Sequence, residues 1–116
     1  MKKPIKSFSL LLLFLSFTYG TTIHVPGDVP TIQEGLNTAI EGDTVLVASG
    51  TYSKNIEWPN INGINLIGEI QENTIIDGGG SGTVIRFSGA GNIDNTTRIE
   101  SFTITNGYGS GLDGAG

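Results

Sequence analysis

Three carboxylates, Glu69, Glu72 and Asp77, surround one predicted turn and are the closest approach to a metal site in this sequence. Neighbouring carboxylates can share a proton or bind Ca²⁺. Calcium needs roughly six to eight oxygen ligands, and the segment does not present that number. We therefore expect no catalytic residue, no cofactor and no metal ligand in this chain, with Ca²⁺ at this turn as the alternative.

Aromatic side chains form the second set that could bind a ligand, because an aromatic ring packs well on the apolar face of a sugar. Trp58, which precedes Pro59, is the ring that we expect to be exposed, and Tyr108 is the other candidate for carbohydrate contact. Tyr52 lies in a Gly-Thr-Tyr segment and is more simply a packing residue. Both candidates have a structural role as the alternative.

His24 is the only histidine, so this chain cannot supply a metal site built on several histidines. Nor does the sequence suggest a catalytic triad around it. It flanks the first predicted strand, just before Pro26. We expect an edge or corner residue without a catalytic role.

The first twenty residues predict a secretory signal peptide. Lys2, Lys3 and Lys6 precede the apolar stretch 8–17, and small residues stand at Thr18 and Gly20, where a signal peptidase reads the chain. The stretch is shorter than the roughly 20 residues that a membrane-spanning helix needs. The sequence thus predicts a secreted or cell-surface protein that has no membrane span after processing, with a retained membrane anchor as the alternative.

The chain that remains after processing is strongly acidic. It keeps three basic residues, Lys54, Arg86 and Arg98, against eleven Asp and Glu, which is a net charge of −8. Such a surface repels nucleic acid, and we expect no nucleic-acid partner. There are no cysteines, so an exported form must be stabilised without disulfides.

Short β-branched runs, each ended by Gly, Asn or Asp, follow a single helix. The helix is predicted over 29–40, where an apolar stripe lies between a capping box and a glycine stop (Ile32, Leu36, Ala39 and Ile40; Thr31 and Glu34; Gly42). The runs are 44–47, 55–58, 64–67, 74–76, 83–87 and 102–105. They predict an all-β sandwich, barrel or solenoid.

The spacing of the runs, taken three at a time, favours a solenoid. Leu46, Ile56 and Leu66 are matched by Ile75, Ile85 and Ile104, with loop residues 88–96 lengthening the last side. The predicted inward residues are Val45, Val47, Ile56, Ile64, Leu66, Ile75, Val84, Phe87, Phe102 and Ile104. This predicts a parallel β-helix of about two coils, capped by one N-terminal amphipathic α-helix that covers its open edge.

The predicted divisions of the chain follow from this pattern. They are a signal peptide at 1–20, a strand and capping helix at 21–43, two β-helix coils at 44–106 and a Gly-rich start of a further, truncated coil at 107–116. We therefore expect the sequence to be the N-terminal piece of a longer solenoid, and further coils of the same chain to be its partner.

The segment from Thr22 to Tyr52 resembles the opening of right-handed parallel β-helix proteins of the pectin-lyase-like superfamily. The resemblance rests on the strings 23–26, 30–35, 42–47 and 50–52, and later on 66–69, 74–78 and 102–107. Pectinesterases open in a similar way, but no segment matches their catalytic motifs. Large exported bacterial surface proteins with parallel β-helix repeats look closer, through the string 102–107.

The resemblance implies a scaffold that is non-catalytic in the residues present and could contact polysaccharide. One alternative is the N-terminal fragment of a polysaccharide lyase or pectinesterase-like enzyme, with its active site in downstream coils. Another is an adhesion module that binds a protein. An aligned column of Asp, Arg, Lys or Gln in later coils would favour the enzyme.

Overall fold

The computed structural model describes residues 20–87 and 93–108. Its elements are β1 (Thr22–Val25), α1 (Ile32–Thr38), β2 (Thr44–Val47), β3 (Gly50–Ser53), β4 (Ile56–Glu57), β5 (Asn65–Gly68), β6 (Thr74–Asp77), β7 (Ile85–Arg86), β8 (Arg98–Glu100) and β9 (Thr103–Thr105). Residues 1–19 of the predicted signal peptide and 109–116 of the predicted Gly-rich segment lie outside the described residues. Within those described ranges, no helix has the length and apolar character that crossing a membrane requires.

The strands form three parallel sheets. Sheet A has the order β1-β2-β5-β8, sheet B has β3-β6-β9, and sheet C has β4-β7. Following the chain, β2–β4 and β5–β7 each place one strand in every sheet, β8 and β9 add a strand to sheets A and B, and the described chain makes about three coils. The predicted all-β solenoid of parallel strands is confirmed, whereas the prediction of about two coils falls short by one.

The strand pairing differs from the predicted matching at two of three positions. Ile56 pairs with Ile85 as predicted. Leu46 instead pairs with Ile67 and Leu66 with Ile99. The difference has one cause: β3 and β8 lack the apolar β-branched run that marks the predicted strands. Without these two strands, the predicted coils begin and end at the wrong residues.

The core lies between the three sheets and follows the alternation of side chains along each strand. Its buried apolar residues are Val25, Ile32, Leu36, Ala39, Val45, Val47, Ile56, Trp58, Ile64, Leu66, Ile76, Val84 and Phe102. Three predicted inward residues are wrong in burial. Ile75 is replaced in the core by its neighbour Ile76, while Phe87 and Ile104 are 41% and 45% exposed.

The helix α1 is shorter than predicted. Thr31 caps its start by accepting a hydrogen bond from the Glu34 N–H, so the predicted N-cap is confirmed. The chain becomes extended at Ala39, and Ile40 therefore leaves the apolar stripe and is exposed. Ile32 and Leu36 carry the buried face of the helix, against β1, β2 and β4.

The side chain of Gln33 joins α1 to the edge of sheet C. Its Oε1 accepts a hydrogen bond from the Glu57 N–H at 2.9 Å, and its Nε2 donates to the Glu57 carbonyl at 2.8 Å. These two bonds are the ones that a neighbouring strand would make with the edge strand β4. The amide of Gln33 therefore substitutes for a strand at this edge.

Replacing Gln33 with Ala should destabilise the protein by about 1–3 kcal/mol, because it removes the two hydrogen bonds that Gln33 makes with the Glu57 backbone where the edge is partly buried. Amide exchange of Glu57 should accelerate. Urea unfolding and hydrogen exchange measure the two effects. Asn37→Ala is the control, since Asn37 is exposed and touches only the Gln33 amide. Equal losses in the two variants would contradict the edge role.

Candidate functional site

A polar groove runs along one outer corner of the solenoid, where sheet B passes into sheet C. It consists of two hollows of about 390 and 280 Å³ that share Asn55 and Ser81. We call it the corner groove and define it by six polar residues: Lys54, Asn55, Glu57, Asp77, Ser81 and Arg86. Its lining combines neutral polar side chains with both signs of charge.

The groove exists because two successive corners differ in length. The first coil passes from β3 to β4 through residues 54–55, whereas the second passes from β6 to β7 through 78–84. Gly79, Gly80 and Gly82 have φ angles of 71°, 72° and 89°, which suit glycine and let the longer corner fold outward. Asn55 Nδ2 donates to the Thr83 carbonyl at 2.9 Å and ties the two corners together.

The charges in the corner groove are balanced. Arg86 Nε lies 3.1 Å from Glu57 Oε1. Asp77 Oδ1 accepts hydrogen bonds from the Gly79 N–H at 2.8 Å and from Asn106 Nδ2 at 3.0 Å. These bonds lower the pKa of Asp77, with the Gly79 N–H as the larger cause. The groove thus offers an amide, hydroxyls and opposite charges, which suits hydrogen bonding to a neutral polar ligand.

Trp58 is not the exposed ring that the sequence predicted. Only 3% of its surface is accessible, and its ring stacks on Phe87 with the centroids 5.1 Å apart. Its Nε1 is buried and has no hydrogen-bond partner among the described residues. Pro59 does not turn the ring outward, because Trp58 shares the inward alternation of Ile56. This position offers no ring face for stacking on a sugar.

Tyr108, the other predicted contact residue, is 60% exposed. Its backbone N–H donates to the carbonyl of Gly82, a residue that lines the corner groove, at 2.8 Å. The third coil therefore brings Tyr108 to the same corner as the groove. Carbohydrate contact at this residue stays a prediction.

The three carboxylates of the predicted turn take separate partners. Glu69 Oε1 accepts a hydrogen bond from the Ser49 N–H at 3.2 Å, whereas Asp77 belongs to the corner groove. Glu72 is exposed. In the part of the chain that the structure describes, no three His, Cys, Asp or Glu side chains are grouped to hold a metal ion.

His24 lies within β1 and not beside it. Its ring is exposed, and Nδ1 lies 3.1 Å from Asp28 Oδ2, which also accepts the His24 backbone N–H at 2.8 Å. The backbone hydrogen bond and then the ring contact lower the pKa of Asp28. The contacts between His24 and Asp28 stabilise the turn that follows β1.

Comparison with known proteins yields no relative. No protein-family model, no curated protein and no solved structure matches this chain. The resemblance of the sequence to pectin-lyase-like proteins therefore has support only at the level of a parallel solenoid.

The sequence reasoning missed most of the corner groove. Lys54, Asn55, Ser81 and Arg86 were not predicted as a group. The predicted match of Ile56 with Ile85 aligns β4 with β7, but β3, which leads into this corner beside β6, was not predicted as a strand. The usable signal was the glycine-rich segment 78–82, which is longer than the corner before it. A lengthened corner in a solenoid places new side chains beside the preceding coil.

Replacing Phe87 with Ala should uncover Trp58, shift its emission to the red and increase its quenching by acrylamide. Trp58 is the only tryptophan, so the signal is unambiguous. We expect a stability loss of about 1–2 kcal/mol, because Phe87 is itself partly exposed. Tyr108→Ala is the control and should leave the emission unchanged. An already red, easily quenched Trp58 in the unmodified protein would contradict the observed packing.

Replacing Asn106 with Gly should raise the pKa of Asp77 toward its usual range. Glycine keeps the φ of 58° that Asn106 adopts but removes the donor to Asp77. Because the folded-state pKa of Asp77 is lowered, its bonds stabilise the fold above the unfolded-state pKa and are lost as pH falls through the folded-state value.

An NMR titration of side-chain carboxyl carbons measures this shift. Asp94 is the internal control, since its lowered pKa depends on Thr96 and Asn62 and not on Asn106. An unchanged Asp77 titration in the Asn106→Gly protein would show that the side-chain bond has no effect.

Proposed function

We propose that this chain is the N-terminal part of an exported right-handed parallel β-helix with a pectin-lyase-like fold, and that its described coils act as a non-catalytic scaffold that contacts polysaccharide. The three parallel sheets are the arrangement that such a scaffold needs. Its place is outside the cell, secreted or on the surface. The observation that carries the glycan contact is the mixed, charge-balanced lining of the corner groove.

In this proposal α1 is the cap of the first coil. Its buried residues pack on β1, β2 and β4, and Gln33 satisfies the backbone of Glu57 at an edge that would otherwise be open. An uncovered parallel edge is a template for unwanted strand pairing. A polar-faced helix over that edge supports the capping role.

The opposite end favours a further coil as the partner. Ile104 pairs with Ile76 and shares its inward side, yet Ile104 is 45% exposed while Ile76 is fully buried. Phe87 is stacked on the buried Trp58 and is similarly open. Another coil stacked on β7 and β9 would cover both side chains and extend sheets B and C.

The glycan that fits the corner groove best is neutral. Sugar hydroxyls both donate and accept hydrogen bonds. The side chains of Asn55, Glu57 and Arg86 can therefore each form a hydrogen bond with a hydroxyl. The groove has no surplus of positive charge, since Arg86 is paired with Glu57 and the lining contains one further residue of each sign, Lys54 and Asp77. A polyuronate would also meet the strong net negative charge of the processed chain.

Affinity electrophoresis in gels containing a neutral polysaccharide or a polygalacturonate tests this proposal. Asn55→Ala and Arg86→Gln should each weaken retardation by the neutral polymer roughly tenfold, because each removes hydrogen bonds to the sugar. Arg98→Gln is the matched control: Arg98 forms a similar exposed pair, with Glu100, on sheet A.

The outcomes are distinct. Stronger retardation by polygalacturonate than by every neutral polymer would contradict the neutral ligand. Equal losses in the Arg86 and Arg98 variants would remove the corner groove from the proposal. No retardation by any polymer of either kind would contradict glycan contact by these coils.

A further inference from the structure

The carboxylate of Asp43 connects the start of the described chain to the corner between α1 and β2. Only 6% of Asp43 is exposed. Its Oδ1 accepts hydrogen bonds from the Thr21 backbone N–H at 2.9 Å and from Thr21 Oγ1 at 3.2 Å, and its Oδ2 accepts one from the Ile40 N–H at 3.0 Å. The carboxylate therefore holds the nitrogen of Thr21 in a partly buried position.

Within the described residues, this carboxylate accepts hydrogen bonds from neutral donors and forms no ion pair. Burial acts to raise the pKa of Asp43, yet the N–H groups of Ile40 and Thr21 outweigh it, and the pKa lies below its usual value. A buried charge served only by neutral donors is less well compensated than one that also has an opposite charge. A positive charge on the Thr21 nitrogen would provide the Asp43 carboxylate with an opposite charge.

We infer that cleavage between Gly20 and Thr21 creates an N-terminal ammonium that forms an ion pair with Asp43 and anchors the start of the processed chain. The inference rests on the proposed export, and it assigns a processing site and a residue that receives its product. In the cleavage, water adds to the Gly20 carbonyl carbon and the C–N bond to Thr21 breaks. Gly20 leaves as a carboxylate, and the Thr21 nitrogen is protonated; a leader peptidase is the catalyst.

Gly20 packs closely against the backbone of Gly42. A Cβ on Gly20 would overlap the carbonyl oxygen of Gly42, so only glycine fits here while the residue is present. Once the bond after Gly20 is cut, this close approach disappears. The Thr21 carbonyl still accepts the Thr44 N–H at 2.9 Å, so the new terminus stays aligned with β2.

Two other charged residues, Glu41 and Arg98, belong to the elements around this corner. Glu41 lies on the same loop, and its side chain approaches Gly63. Thr44 and Asn65 provide neutral side chains from β2 and β5. Arg98, the next residue in that register, is bonded to Glu100 at 2.7 Å.

The test compares two proteins that both begin at Thr21, released from a removable tag so that export is not required. One keeps its free amine, and the other is acetylated on it, which preserves an N–H donor but abolishes the charge. Urea unfolding at pH 6 and pH 10 is measured for each. At pH 6 the free-amine protein should have an unfolding constant roughly tenfold smaller than the acetylated one.

The pH dependence has a defined sign. The α-amino group has an ordinary pKa of about 8, and pairing with Asp43 raises it in the folded state. Its contribution is therefore complete below the unfolded-state pKa and is lost as pH rises through the folded-state value. The advantage of the free-amine protein should disappear at pH 10. In Asp43→Asn it should be absent at both values; if that variant fails to fold, the acetylation comparison decides alone.

Equal stability of the free-amine and acetylated proteins at pH 6 would overturn the ion pair. Export is judged separately, by N-terminal sequencing of the protein recovered outside the cell. A terminus at Thr21 supports the assigned bond, and any other terminus overturns it. Gly20→Ala provides a further check: it should weaken a chain that retains residue 20 through the contact with Gly42, and it cannot affect a chain that starts at Thr21.

Discussion

The constraint on which the rest of this protein depends is that inward side chains of successive coils must lie directly over one another. Ile23, Val45, Leu66 and Ile99 form such a column through sheet A, in unbroken register. Parallel pairing over short strands holds this register only where the alternation of side chains agrees from coil to coil. The repeating parallel sheets result from this matching alternation of inward and outward side chains. The residues that could have a function lie where the repeat is interrupted.

The repeat is interrupted at the ends and corners of the solenoid. At each of these places a polar side chain makes hydrogen bonds with the backbone. Gln33 takes the place of a strand beside β4, and Asp43 ties the start of the chain to the end of α1. At the corner groove, Asn55 and Asp77 hold the long glycine corner against its neighbours. Each of these side chains makes hydrogen bonds with backbone groups of its own end or corner. The residue type at these positions therefore differs from coil to coil, and this gives a repetitive fold a locally distinct surface.

The predicted exposure of Trp58 was wrong, and the register explains why. Trp58 was expected to be exposed because it precedes a proline, but its position in the strand alternation sends the ring inward onto Phe87. Tyr108, the other candidate for carbohydrate contact, is exposed. The corner groove combines side chains from two coils, and no local pattern records which residues become neighbours after one full coil.

The sequence by itself determined the class of fold. Residue type and spacing are local properties, and they were enough to predict the short β-branched runs with their glycine and asparagine stops, the N-cap at Thr31 and most of the apolar core. Tertiary structure decided most of the pairing between coils: the predicted match of Ile56 with Ile85 holds, whereas Leu46 and Leu66 have other partners. β3 and β8 are strands because neighbouring coils supply their hydrogen bonds, although their own residues carry weak strand signals. The register between coils is a non-local choice, made by the packing of the whole core, and both the corner groove and the contact between Thr21 and Asp43 depend on it.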